Sequence, residues 1–276
     1  MDAPAWERVM TNLRVEIVGR SMRAALALAL TALLAGAAQA HDFFLIPQSY
    51  LSQQSTIEVD ATISAAFPAL EIAVTPDRIA AIHALSPSPA ARAEIIGSTE
   101  KTLRLRLSDA GRGVSVLVLR TVARDVDYAE DRIDPIMAEY EVAPDVLAAV
   151  NALPRPRTLR VRSTRVAKTH VCVGDCNDRT AAVRVIGGNL EFVAATARDD
   201  VSYRLLLDGN PMPHYPVAVV HSDGTRRPEK TDEAGQVALI TNDRGVLMLF
   251  AAYMQAPPEA SGRFDMKLTS LTLERR

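Results

Sequence analysis

The stretch KTLRLRLSDAGRGVSVLVLRTV, residues 101–122, decides the class of fold. Apolar and polar residues alternate through 101–109, and a second short run, 113–122, follows a break marked by glycine. Alternation with a period of two, bounded by turn residues, is the pattern of a half-buried strand. The pattern returns in STIEVDATI (55–63), AAVRVIG (181–187), NLEFVAA (189–195), VSYRLLLDG (201–209) and PVAVVHS (216–222). It returns again in GQVALIT (235–241), GVLMLFAAYM (245–254) and MKLTSLTLE (266–274). The chain therefore reads as all-β.

One region departs from this pattern. DPIMAEYEVAPDVLAAVNAL, residues 134–153, spaces Ile136, Met137, Tyr140, Val146, Leu147 and Val150 as helices do. Pro144 opens a second helix, with Asp145 near its positive end. Beyond it, PRPRTLRVRSTRVAK (154–168) carries two prolines, which predict a linker or an edge strand. Turn signals at Asp208-Gly209-Asn210, Ser222-Asp223-Gly224, Asp232-Glu233-Ala234-Gly235 and Asp243-Arg244-Gly245 punctuate the last third. The expected architecture is two β-sandwich domains, Ig-like or transthyretin-like, joined by a short helical connector. The first spans 41–123, the helical connector with its basic and cysteine-bearing segment spans 124–179, and the C-terminal Ig-like sandwich spans 180–276.

Residues 1–40 read as a signal peptide. Arg23 precedes an Ala/Leu-rich core, and Ala38-Gln39-Ala40 places small residues where a signal peptidase acts. Residues 1–21 lie ahead of a natural start at Met22-Arg23 and suggest an over-long beginning. Cleavage after Ala40 makes His41 the first residue of an exported, periplasmic protein with no transmembrane span. It removes four basic and three acidic residues, taking the formal charge from −2 to −3. Near-neutral charge argues against a nucleic-acid partner.

The five histidines are His41, His83, His170, His214 and His221, and none belongs to a hydrolase elbow, a P-loop or an HExxH motif. The reading is of a protein that is not an enzyme. A free amine and an imidazole on His41 make a two-nitrogen chelate, and a second imidazole completes a T-shaped site suited to Cu(II) or Ni(II). His83, His221 and His170 are the candidate second ligands, whereas His214 sits in a solvent-facing turn. The bland alternative is that HDFFLIP begins an edge strand.

Cys172 and Cys176 would lie about 13 Å apart in a straight strand, but a turn at Gly174-Asp175 brings them to about 5.5 Å. A disulfide is the expectation in an oxidising compartment, worth about 2 kcal/mol for so short a loop. The competing arrangements are a soft metal site of His170, Cys172 and Cys176, or unpaired thiols. Arg155, Arg157, Arg160, Arg162, Arg165 and Lys168 read as a solvated strand face. Asp125, Asp127, Glu130, Asp131 and Asp134 lack the glycine and terminal glutamate of a calcium loop and read as a polar loop.

Taken in order, HDFFLIP, YEVAPDVLAAV, STRVAKTHVCVGD, LEFVA, LLLDGNPMPHYPVAVVHSDG, TDEAGQVAL and GVLMLFAAYM resemble the NikM-like periplasmic family of domains of unknown function, associated with nickel or cobalt uptake. His41, Asp42, Phe43, Leu45 and Pro47 match the start of that family, with Phe44 in place of its tryptophan. Tyr253 stands where the family often has histidine before a methionine. The resemblance implies an exported, non-enzymatic accessory of nickel or cobalt acquisition beside a metal transporter or outer-membrane receptor, and with the His41 chelate the expectation is a protein that binds or hands over Ni, Co or Cu. The alternative is a metal-independent envelope module, either structural or protein-binding.

Overall fold

The computed structural model describes residues 41–259 and 262–276, so the expected signal peptide lies outside the described residues. The first half of the chain forms β1 (Asp42–Pro47), β2 (Leu51–Ser52), β3 (Ile57–Ser64), β4 (Ile72–Ala73), β5 (Ile79–Leu85), β6 (Arg92–Ser98), β7 (Leu103–Ser108), β8 (Gly113–Thr121) and β9 (Arg124–Ala129). Two helices follow, α1 (Glu130–Glu139) and α2 (Pro144–Asn151). The remainder forms β10 (Thr158–Val173), β11 (Leu190–Ala194), β12 (Ser202–Leu207), β13 (Asn210–Pro211), β14 (Pro216–His221), β15 (Arg226–Lys230), β16 (Gln236–Ala238), β17 (Gly245–Gln255) and β18 (Phe264–Arg275).

These strands make three sheets. The central one runs β15-β14-β17-β18-β10-β8-β5, with β2 and β9 also paired to β10. A second sheet, β1-β3-β7-β6 with β4, covers part of one face, and a third, β11-β12-β13 with β16, covers the other. The side chains of β17 show how the central sheet is buried on both sides. Leu247, Leu249 and Ala251 face the third sheet, while Met248, Phe250 and Ala252 join Ile133, Ile136 and Val150 of the helices. A strand covered on both faces reads as a continuous apolar run, which GVLMLFAAYM is.

The fold is all-β as the alternation predicts, but the expected tandem of sandwiches at 41–123 and 180–276 is instead two sandwiches sharing one sheet. Strands β5 and β8 from the first span and β14, β17 and β18 from the last are hydrogen-bonded into the same layer. The joint is β10, expected to be a linker or an edge. Both prolines precede its first residue, so its backbone is free to pair on two sides. It runs parallel to β18 over Val161–Thr169, and antiparallel to β9 and then β8 on its other side. Strand β1 closes the packing over β18. Ser270 Oγ donates to Phe43 O and Thr272 Oγ1 to Leu45 O, each at 2.6 Å.

Three local expectations change. AAVRVIG is not a strand: residues 181–183 lie in a turn and 184–187 are irregular, where the Glu191 carboxylate accepts the N–H groups of Ile186 (3.2 Å) and Gly187 (2.7 Å) that a strand would pair. The acidic run 125–134 is β9 and the start of α1 rather than a loop. Register pairs Asp125 with Arg162 and Asp127 with Arg160, so acidic and basic clusters meet across neighbouring strands. Arg157 and Lys168, assigned to a solvated face, are both buried, Arg157 between Glu130 (2.7 Å) and Asp134 (2.8 Å). Among the described residues no helix is long and apolar enough to cross a membrane.

The third sheet is fastened to β10 by a buried ion pair. Lys168 Nζ lies 2.5 Å from Glu191 Oε2 and donates to Phe192 O at 2.9 Å, with both charged side chains almost fully excluded from solvent. Burial lowers the lysine pKa, and Glu191 opposes that pull. Removing one partner of such a pair strands the other's charge, a cost of about 3–5 kcal/mol. Lys168→Met should lose that much in urea denaturation. The Lys168→Met/Glu191→Gln double variant should lose clearly less than the sum of the single losses, and simple additivity would contradict the pairing.

Candidate functional site

The central sheet separates the histidines expected to share a metal ion. His41 leads into β1 on the side of the second sheet. His83 is paired in register with Val118, whose side chain faces the third sheet, and His221 shares the face of Val217 and Val219, which does the same. His170 lies on that face too, two residues from Val166 and Lys168 in turn along β10. His41 and His83 are exposed, while His221 is half-buried with Nε2 3.3 Å from Asp243 Oδ1. Among the described residues no three of His, Cys, Asp or Glu stand together as an ion would need. His83, His170 and His221 are thus on the wrong face to join His41. His214 is exposed in a turn.

The residue after His41 is better placed. Asp42 is buried and its Oδ2 meets Arg226 at 3.0 Å, while Arg165 Nη1 donates to the His41 carbonyl at 3.0 Å. Desolvation drives the Asp42 carboxyl up to about 6 from 3.8, against the pull of Arg226. The Arg226 guanidinium also covers the Phe250 ring at 4.6 Å, roofing a hollow of about 180 Å³ beside Tyr140. Its charge is already engaged there by Asp42.

A second cavity, of about 140 Å³, opens between the central and third sheets. Its wall includes His170 from β10, Tyr203 from β12, Arg179 from the loop after β10, and the apolar side chains of Val114 and Leu273. His170, Arg179 and Tyr203 are each more than nine-tenths buried. His170 Nδ1 and Arg179 Nε have no hydrogen-bond partner among the described residues, while the Tyr203 hydroxyl interacts with the Arg179 side chain. Buried polar atoms are paired in the great majority of cases, so two orphans on one cavity are a departure that calls for a cause.

Electrostatics links the three. The rings of His170 and Tyr203 lie 5.8 Å apart. Burial first, then the charges of Arg179 and Lys168, push the His170 pKa down from 6.5 to about 3, so its imidazole is neutral. Burial also raises the Tyr203 phenol, with the charge of Arg179 and a side-chain hydrogen bond with it acting in the opposite direction. No carboxylate among the described residues pairs with Arg179, although Asp200 and Glu274 also line the cavity and Glu274 is taken by Arg276 at 2.7 Å.

The loop that carries Arg179 is fixed at several points. Cys172 and Cys176 form the expected disulfide, with Cα atoms 5.4 Å apart across a turn at Gly174. Neither thiol is then available to a soft metal site with His170. Asp175 meets Arg112 at 2.5 Å and accepts from Asn177 N, and Asp178 Oδ1 accepts from both the N–H and hydroxyl of Thr180. The Asp178 carbonyl accepts from Val114 N at 2.6 Å. This close approach requires Gly113, where a Cβ would fall 2.5 Å from that carbonyl and φ is +115°. Arg179 and Tyr203 carry no motif in the sequence. The available signal was Asn177-Asp178, turn formers directly before Arg179.

Residues 38–255 match the model of a family described as a domain of unknown function, DUF4198. That description supplies no link to nickel or cobalt. Among solved structures the chain is similar to the D0-D1 domain of intimin, with 10% identity, a TM-score of 0.22, and coverage of 83% of this chain and 97% of that one. At that score the likeness carries no argument. No curated protein matches the chain.

The raised Asp42 pKa sets a pH dependence. The folded state holds this proton more tightly than the unfolded state. Stability from Asp42 protonation is therefore complete below about 3.8 and is lost as pH rises through about 6. The span is worth on the order of 3 kcal/mol. Unfolding free energies measured at pH 7 and pH 4 should show the unaltered protein gaining on Asp42→Asn as pH falls. A constant difference would contradict the burial argument.

Proposed function

We propose, for a chain that belongs to the DUF4198 family of domains of unknown function, that it is a non-catalytic binding module of the cell envelope that takes a small polar ligand between its central and third sheets. The observation that carries this reading is the convergence on one cavity of two buried polar atoms without a partner among the described residues, His170 Nδ1 and Arg179 Nε, beside the Tyr203 hydroxyl. Each such atom costs about 1–3 kcal/mol unless it finds a partner, and a bound molecule offsets that cost. Several constraints on the loop hold Arg179 at the site before any ligand arrives, which lowers the entropy lost on binding.

Binding fits these residues better than catalysis. An imidazole with a pKa near 3 is a weak proton acceptor at neutral pH, where general-base chemistry calls for a pKa near the working pH. The disulfide suits an oxidising compartment, in keeping with export through the leader read in the sequence. A nickel, cobalt or copper role keeps only the two nitrogens that His41 itself would offer after cleavage.

Two experiments test this. In a thermal-melting panel of small carboxylates, amines, alcohols and inorganic anions, at least one compound should raise the midpoint, as any ligand of the folded state does. Leu51→Trp, which fills the cavity from its half-buried rim, should abolish that rise. A panel with no effect would contradict the reading. With Cu(II) or Ni(II), protein starting at His41 should bind no more weakly after His83→Ala, His170→Ala or His221→Ala. A loss on any of these substitutions would restore a shared metal site.

A further inference from the structure

The cavity's chemistry narrows the ligand, an argument that rests on the binding reading above. Arg179 presents a guanidinium whose Nε has no partner among the described residues, with the Tyr203 hydroxyl next to it and an equally unpartnered His170 Nδ1 on the same wall. An arginine buried to this degree, with no carboxylate among the described residues paired to it, can take a counter-ion from a ligand, because isolated buried charges are paired or expensive. The guanidinium's planar fork of donors matches a carboxylate.

The rest of the wall sets the ligand's charge and shape. Asp200 and Glu274 line the same space, and Glu274 already holds Arg276, so the wall opposes a second negative charge on the ligand. His170 is neutral and adds no positive charge to accommodate one. A monoanion is favoured over phosphate. Val114, Leu273 and the disulfide give the remaining surface an apolar character. On a scale where one water takes about 10–15 Å³, a cavity of about 140 Å³ has room for a short alkyl chain as well as the headgroup.

We infer that the cavity binds a small monocarboxylate, its carboxylate held by Arg179 and Tyr203 beside His170, and its alkyl part lying against Val114, Leu273 and the Cys172–Cys176 disulfide. The role of the disulfide loop is then to keep Arg179 turned inward. The seal between Asp178 and Gly113 is part of the same device.

Butyrate, inorganic phosphate, 1-butanol and butylamine, titrated into the full chain and followed by NMR, test the assignment. Butyrate should saturate, with chemical-shift changes centred on His170 and Tyr203, and should bind at least about tenfold more tightly than the other three. Arg179→Met should weaken butyrate binding about tenfold or more, and Tyr203→Phe about threefold. Arg179→Lys keeps the charge but loses the fork and should also weaken it. This variant and the shifts in the unaltered protein keep the test decisive if Arg179→Met fails to fold. Equal or tighter binding of butanol, butylamine or phosphate at the same residues overturns the carboxylate assignment while leaving the binding reading intact. Butyrate binding unaffected in the arginine variants overturns it as well, and the absence of binding by all four compounds overturns both.

Discussion

Lys168 cannot reach water, and much of the molecule is arranged around that fact. Its ammonium group meets Glu191 at 2.5 Å and the Phe192 carbonyl at 2.9 Å, joining the longest strand of the central sheet to the first strand of the third. Glu191 in turn receives the N–H groups of Ile186 and Gly187, which turns the approach to β11 away from strand geometry. The pair fixes where the third sheet sits on the face that bears His170 and Cys172, and so helps define the cavity between the two layers. An apolar pair of similar size would fill the same space, but it would leave those two amides without their acceptor.

Much of the fold was legible because strand alternation is a local signal. KTLRLRLSD, PVAVVHS and MKLTSLTLE lie in strands, and the helical spacing of Ile136, Met137, Val146 and Val150 falls on two short helices. The centre of the fold was not legible. Residues 158–173 hold arginines that look solvated one at a time, yet Arg162 finds Asp125 on the neighbouring strand, while Arg157 just before them is buried against Glu130. Those partners are set by strand register, which no local pattern contains. The sharing of one sheet by strands from both ends of the chain escaped for the same reason.

The candidate site divides in a similar way. The cysteine pair was readable from spacing and a turn, because a five-residue segment contains all of its geometry. The histidines were readable as residues but not as neighbours, since which face of the central sheet each occupies depends on pairing. Arg179 and Tyr203 were silent, one in a loop and one in an ordinary alternating strand. Their chemistry emerges only when the two layers are brought together around His170.

The most direct measurement of the central claim is a crystal structure of the protein grown in butyrate, compared with one grown without it. The account predicts planar carboxylate density against the Arg179 guanidinium and Tyr203 hydroxyl, with the disulfide loop in the same place in both crystals. A cavity with Arg179 swung onto Asp200 or Glu274 and no carboxylate beside Tyr203 would contradict it.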